Sequence, residues 1–247
     1  MDISIAIIAL ITGYLLGSIS FARLIIRIVA PQADITRVVE PVPNTNEVFV
    51  FRSVSATSVR YYAGNKMGCL TSVLDMLKAF LPTLLFRLLF PEMPYFLIAA
   101  SAVILGHNFP IFHGFKGGRG ESPILGSLLA VDPIGLFILN VVGMLTGALV
   151  GNLMVMHWTG YILMIPWLWL RTGDPWHLGY ILLANGLYWF ALVPELKQYI
   201  RLIRTNQAPS QEETARFLGM GKRLGRFLDR YSLPALYLRW RKQKKGE

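Results

Sequence analysis

The chain has 247 residues, of which 54% are hydrophobic and 15% charged, with a mean hydropathy of +0.49 and a formal net charge of +10. Soluble domains of this length carry about 25% charged residues, so the composition excludes a soluble globule and indicates a polytopic membrane protein. The lone cysteine, Cys69, excludes an intrachain disulfide and a cysteine metal cluster, and its place in an apolar run predicts a small packing residue.

In chain order, the first apolar run, Ile3 to Ile28, is long enough to span and carries Arg23 and Arg27 at its far end. It lacks the cationic start of a cleaved signal and reads as a retained helix. Cations flanking a short loop mark the cytoplasmic side, so the N-terminus is expected outside and Ala30 inside. Residues 30–66 are polar and rich in turn formers, including Pro31, Pro41, Pro43, Asn44 and Asn46, and read as irregular. Within them Glu47 to Arg52 alternates like a short extended piece. A hydroxyl-rich stretch, Ser53 to Ser58, leads to Arg60.

The second run, Met67 to Phe90, carries Asp75 and Lys78 on one helix face. Ionisable groups in a membrane are costly and face the bundle interior or a watery cavity. A buried structural pair and a support of an active site are both open here. Pro91 and Pro94 turn the chain, and Tyr95 to Phe109 returns it inward. Ser122 to Val131 is too short to span at about 1.5 Å per residue, and Asp132-Pro133 breaks it. The apolar stretch Ile134 to Leu170 suits two helices, broken near Gly143, Gly147, Gly151 and Asn152, whose small residues also suit close helix packing. Arg171 to Pro175 turns outside, and Trp176 to Val193 leads back in. The expected fold is an all-α integral membrane protein of about seven transmembrane helices, one or more short or broken, with the N-terminus outside and the C-terminus cytoplasmic.

From Lys197 the chain turns basic. Phe217, Leu218, Leu224, Phe227, Leu228 and Tyr231 recur at helical spacing, with Lys222, Arg226 and Arg230 as a ridge. An amphipathic helix on an anionic inner leaflet fits this pattern, as does a helix packed on the bundle's cytoplasmic face. The last residues, Arg239 to Lys245, are expected to fray. The domain division is 1–205 for the membrane unit and 206–247 for a basic cytoplasmic tail.

Between the third run and the short segment lies GHNFPIFHGFKGGRG, Gly106 to Gly120. Gly117, Gly118 and Gly120 alternate with Lys116 and Arg119 just ahead of a helix start. Glycine lets a ligand approach the backbone, successive N–H groups form anion-binding concavities, and the helix start adds partial positive charge. The stretch reads equally as a phosphate cradle or as a flexible basic loop. His107 is open as a donor to a phosphate or carbonyl oxygen, or as a helix-end histidine.

This stretch closely resembles the second motif, roughly GHxFPxFxxFKGGKG, of the bacterial acyl-phosphate:glycerol-3-phosphate acyltransferases (the PlsY family). Gly13 to Ala22, GYLLGSISFA, resembles the family's first-helix signature, with Ser20 where proline is usual. Lys66-Met67-Gly68 with Asp75 and Lys78 resembles its second helix. The similarity covers about residues 3–205. The family's first loop, close to SGNxGATNxxR, falls on Phe51 to Tyr61, where Ala56 and Thr57 match, Ser58 replaces asparagine and Arg60 stands one position early, after an insertion of roughly ten residues. Glu121-Ser122-Pro123 replaces the usual VAT and puts negative charge beside the anion site. The third motif falls near Thr146 to Leu153 and is rewritten, and the family's late His and Asn align with Glu195 and Gln198.

The resemblance implies transfer of a fatty acyl group from acyl phosphate to the 1-hydroxyl of glycerol 3-phosphate, giving lysophosphatidic acid for phospholipid biosynthesis, at the cytoplasmic face of the inner (plasma) membrane. Neither metal nor cofactor is implied. Lys116, Arg119 and the backbone at Gly117, Gly118 and Gly120 are expected to hold one phosphate, and Thr57, Ser58 and Arg60 the other, with Asp75 and Lys78 as buried polar support. Convergence of Arg60, Asp75, Lys78, His107, Lys116 and Arg119 on one pocket would favour the enzyme. A non-catalytic relative that binds anionic lipid or a protein partner is the alternative, favoured if Glu121 fills the cradle. Internal repeats of a transporter and nucleic-acid motifs are absent from the sequence, and its oligomeric state is open.

Overall fold

The computed structural model describes the chain apart from residues 43–44, 206, 208, 218–220 and 246–247, so the turn expected at Pro43-Asn44 and the apolar position Leu218 lie outside the described residues. Among the described residues, six helical stretches are long and apolar enough to cross a membrane: Ile3–Val29, Ala56–Leu89, Tyr95–His113, Pro133–Val150, Leu153–Thr172 and Pro175–Arg204. The short helix Glu121–Val131 lies among them, and a buried apolar cluster drawn from all seven stretches forms the core.

The first run is broken. Helix α1 (Ile3–Ser18) is capped by Asp2, whose side chain accepts from the Ser4 N–H at 2.7 Å, and α2 starts afresh at Phe21 and ends at Val29. The break falls where the resemblance places Ser20, and the Ile19 carbonyl it frees accepts from Lys78 Nζ at 2.7 Å. A buried orphan carbonyl is costly, so this break and that lysine belong together.

Residues 30–66 are more ordered than their composition suggests. Strands β1 (Val38–Pro41) and β2 (Val48–Phe51) pair antiparallel, with Val38 opposite Phe51. Only β2 is foreshadowed by alternation; β1 lies in a stretch read as irregular. The ribbon packs through Val38, Val42, Phe49 and Phe51 on Leu202, and Gln198 both donates to and accepts from the Val50 backbone, each at 3.0 Å. Helix α3 begins at Ala56, eleven residues before Met67, and runs to Leu89 through a non-helical Gly64 at φ 82°. Cys69, on α3, is exposed and not a packing residue.

Helix α4 (Tyr95–Asn108) lies against α1 so closely that small residues are obligatory. A Cβ on Gly17 would overlap the Val103 backbone, and one on Gly106 the Tyr14 carbonyl. We expect Gly17→Leu to destabilise the protein by about 1–3 kcal/mol through overpacking, measured as thermal unfolding in detergent; an unchanged midpoint would show that the two helices can part freely.

Helix α5 (Glu121–Val131) passes to α6 (Pro133–Val150) through Asp132, whose carboxylate caps α6 at Gly135 N–H, 3.1 Å, and takes the Trp167 indole N–H at 2.7 Å. Helix α7 (Leu153–Thr172) follows the left-handed Gly151, with Asn152 Oδ1 accepting from the Met154 and Val155 N–H groups. Gly143 and Gly147 then pack on Met156 and Gly160, the close-packing use of small residues. Helix α8 (Pro175–Arg204) continues well past Val193, because its last turns hold the β-ribbon.

The basic tail forms α9 (Gln211–Phe217), α10 (Lys222–Tyr231) and α11 (Leu233–Lys245), so the end is helical where fraying was expected. Ala215 and Leu228 are fully buried against Leu153 and Met156. Phe227 and Tyr231 stay exposed. The side chains of Phe217 and Lys222 lie outside the described residues.

Candidate active site

After α4 the chain makes one 3₁₀ turn, Ile111–His113, then places Gly114 and Phe115 in the left-handed region at φ 59° and 60°. The next two glycines fold back onto the end of α4. The Gly118 N–H donates to the His107 carbonyl at 3.1 Å, and a Cβ on Gly118 would run into the His107 ring. A Cβ on Gly117 would overlap the carbonyls of His107 and Asn108, and its own carbonyl accepts from the Val54 N–H at 2.9 Å. Glycine is therefore required here for loop-to-helix packing. The expectation that the loop backbone presents its N–H groups to a phosphate is corrected at Gly118, whose donor is already spent. Gly120, at φ 85°, opens α5 and borders the cavity described below.

The two cations of the loop diverge. Lys116 is exposed, lies outside the lining of that cavity, and its carbonyl accepts from Arg23 at 2.7 Å. Arg119 turns inward, is buried, and pairs with Glu195 of α8 at 2.5 Å and with Thr57 Oγ1 of α3 at 3.2 Å. Burial alone would lower the Arg119 pKa, but Glu195 and Glu121 outweigh it and raise it above the ordinary arginine value. Glu121 lines the cavity described below. It is held at 2.6 Å by His157 Nε2 of α7.

These groups surround a polar cavity. Ser55, Thr57 and Arg60 come from the start of α3, Ser72 and Asp75 from its next turns, and His107 from α4. Arg119, Gly120, Glu121 and Ser122 come from the loop and α5, and His157 from α7. Arg60 also lines a neighbouring cavity with Ser58, Tyr61 and Glu40. Ser58 itself is buried and donates to the Ser53 carbonyl at 2.6 Å, a bond within its own turn. Its donor is thus spent on the main chain, while the residue lines that neighbouring cavity beside Thr57 and Arg60.

Beside the cavity, Lys78 Nζ lies 2.7 Å from Asp75 Oδ1 and 3.0 Å from His107 Nδ1. With the Ile19 carbonyl, three acceptors meet the three hydrogens of one ammonium. An ammonium has no lone pair, so His107 Nδ1 must accept and Nε2 must carry the ring proton. Nδ1 to Asp75 is 3.6 Å, too long for a competing bond. His107, in the last turn of α4, is thus buried and oriented as a donor.

Of the six residues expected to converge, Arg60, Asp75, His107 and Arg119 line one cavity, Lys78 stands behind them and Lys116 is apart. Sequence reasoning did not single out His157, although an imidazole in an apolar run marks a functional position by default. Glu195 was noted only as a departure from a motif; it is the counter-ion of Arg119.

A family model described as glycerol-3-phosphate acyltransferase matches residues 7–205. A glycerol-3-phosphate acyltransferase of Pseudothermotoga lettingae is 40% identical over 82 residues, which are 33% of this chain and 41% of that protein. This chain therefore spans less than half of that relative. One from Thioalkalivibrio sulfidiphilus is 30% identical over 184 residues, 73% of this chain and 84% of the relative. Among solved structures, the integral membrane glycerol 3-phosphate acyltransferase PlsY (YgiH), in its glycerol 3-phosphate form, aligns with a TM-score of 0.66 at 26% identity, over 82% of this chain and 94% of its own. With four-fifths of its length matched by one family model and by one membrane fold, the chain belongs to the glycerol-3-phosphate acyltransferase family.

Proposed function

We propose that the protein transfers a fatty acyl group from acyl phosphate to the 1-hydroxyl of glycerol 3-phosphate, releasing lysophosphatidic acid and inorganic phosphate. The observation that carries this is the polar cavity in which Thr57, Arg60, His107 and Arg119 meet between α3, α4, α5 and α7. Acyl phosphate is a mixed anhydride, so the site must chiefly hold two anions together and orient the hydroxyl. The hydroxyl oxygen bonds to the acyl carbon, the carbon–oxygen bond to phosphate breaks with its electron pair leaving on phosphate, and the hydroxyl proton passes to a phosphate oxygen. His107 Nε2–H serves as a donor to that developing charge, and Arg60 with Thr57 holds a phosphate. Asp75 and Lys78 position His107.

The cavity and the basic tail share one end of the bundle, since Glu121 and His157 line this cavity and, with Pro209 and Thr214, the next one. The excess of Lys and Arg at that end supports a cytoplasmic site, an external N-terminus and residence in the inner membrane. The exposed Phe227, Tyr231, Arg226 and Arg230 of α10 support contact with anionic lipid of the inner leaflet.

The test is acyl transfer by the purified protein, given acyl phosphate and labelled glycerol 3-phosphate. We expect Arg60→Gln to lower kcat/KM about a hundredfold and Lys116→Ala to lower it no more than about threefold, as for an exposed charge. The reverse order would put the phosphate on the loop instead. Commitment of Arg119 to Glu195 favours a second reading, a non-catalytic relative that binds anionic lipid or a protein partner; absence of product from a folded preparation would select it.

A further inference from the structure

A second, largely apolar chamber adjoins the polar cavity and shares Arg119, Glu121 and His157 with it. Its walls include Phe49 and Phe51 of the β-ribbon, Trp158 of α7 and Leu192 of α8. Its roof is Pro209 and Thr214, which belong to the segment after residue 205, beyond the part matched by the family.

That segment is fastened in place. Gln211 Oε1 accepts from the Leu153 N–H at 2.9 Å, satisfying an orphan donor at the start of α7. Ser210 and Glu213 exchange bonds of 2.8 and 3.2 Å in a capping box that starts α9. Thr214 is buried and donates to the Ser210 carbonyl at 2.9 Å. Helix α10 presses on α9 where a Cβ on Gly225 would overlap Gln211 and Glu212. Ala215 and Leu228 then seat the pair on Leu153 and Met156. The roof is therefore a docked element with a defined position over the chamber.

We propose that this chamber takes the hydrocarbon chain of the acyl donor and that the C-terminal extension, through Pro209 and Thr214, sets the chain length it accepts. An apolar chamber that shares Arg119, Glu121 and His157 with a polar cavity lined by Arg60 matches one molecule with an anionic head and an apolar tail. The inference rests on the acyl-transfer reading and specifies its donor.

The experiment compares octanoyl, lauroyl and palmitoyl phosphate as donors for the full chain and three variants. Leu192→Trp narrows the chamber from its wall and Thr214→Met from its roof, while Leu192→Ala widens it. Each narrowing variant should lower kcat/KM for palmitoyl phosphate at least about tenfold more than for octanoyl phosphate, and Leu192→Ala should shift the ratio the other way. An equal loss on all three donors in folded variants would overturn the proposal. If the native protein turns over none of them, the acyl-transfer reading fails separately. The chamber is then tested by photolabelling with a diazirine-bearing palmitoyl phosphate: label on the peptides holding Leu192 or Thr214 supports it, and label confined elsewhere overturns it.

Discussion

Arg119→Ala should abolish acyl transfer and destabilise the protein together. Its guanidinium is buried and bonded to Glu195 at 2.5 Å and to Thr57 at 3.2 Å. Truncation leaves the Glu195 carboxylate buried without its counter-ion, and breaking such a pair from one side costs about 3–5 kcal/mol. The double variant Arg119→Ala/Glu195→Ala removes the stranded charge and should recover most of that stability. It should not recover turnover, because the cavity then keeps only Arg60 of its two arginines, and removal of one preorganised donor to transition-state charge typically costs about a hundred- to a thousandfold. Arg119→Lys should fall between them, since an ammonium cannot hold Glu195 and Thr57 in the same planar fork. Thermal unfolding in detergent and initial rates on the same preparations separate the two effects. Full turnover by the double variant would make the pair a structural strut and remove Arg119 from the site.

The second large effect is expected at Lys78. One ammonium satisfies Asp75, His107 Nδ1 and the Ile19 carbonyl at the break between α1 and α2. Lys78→Met deprives a buried carboxylate, an imidazole and a main-chain oxygen of their donor at once, so a loss of about 3–5 kcal/mol is expected. Lys78→Met/Asp75→Asn should regain part of the stability by removing the buried charge. It should leave turnover low, because nothing then holds His107 in the tautomer that carries its proton on Nε2. Ring-nitrogen NMR shifts of His107 read that tautomer directly. A double variant that keeps both the Nε2–H form and native turnover would reduce the triad to a helix fastener.

Much of the fold could be read before any coordinates. The apolar runs specify where helices lie because a membrane permits little else. The break near Gly151-Asn152, the short helix ending at Val131 and the break at Asp132-Pro133 all follow from small residues, length and a turn signal. Other features resisted. The β1 strand has no alternation of its own and exists because β2 and the end of α8 receive it. The break after Ser18 is hidden in a continuous apolar run, and a lysine about sixty residues away stabilises it.

The candidate site divides in the same way. The sequence by itself determined the membrane class, the family resemblance and the clustering of glycine and cation between Gly106 and Gly120, since local composition and motif spacing carry those. Which cation faces inward was not local information. Lys116 and Arg119 are near neighbours on one loop, yet only Arg119 meets a carboxylate from α8 and a hydroxyl from α3. Likewise Glu121 looked like a charge that would spoil an anion site until α7 brought His157 to 2.6 Å. The tertiary structure decided these points because a buried charge is tolerated only where a partner arrives, and here each partner comes from a different helix.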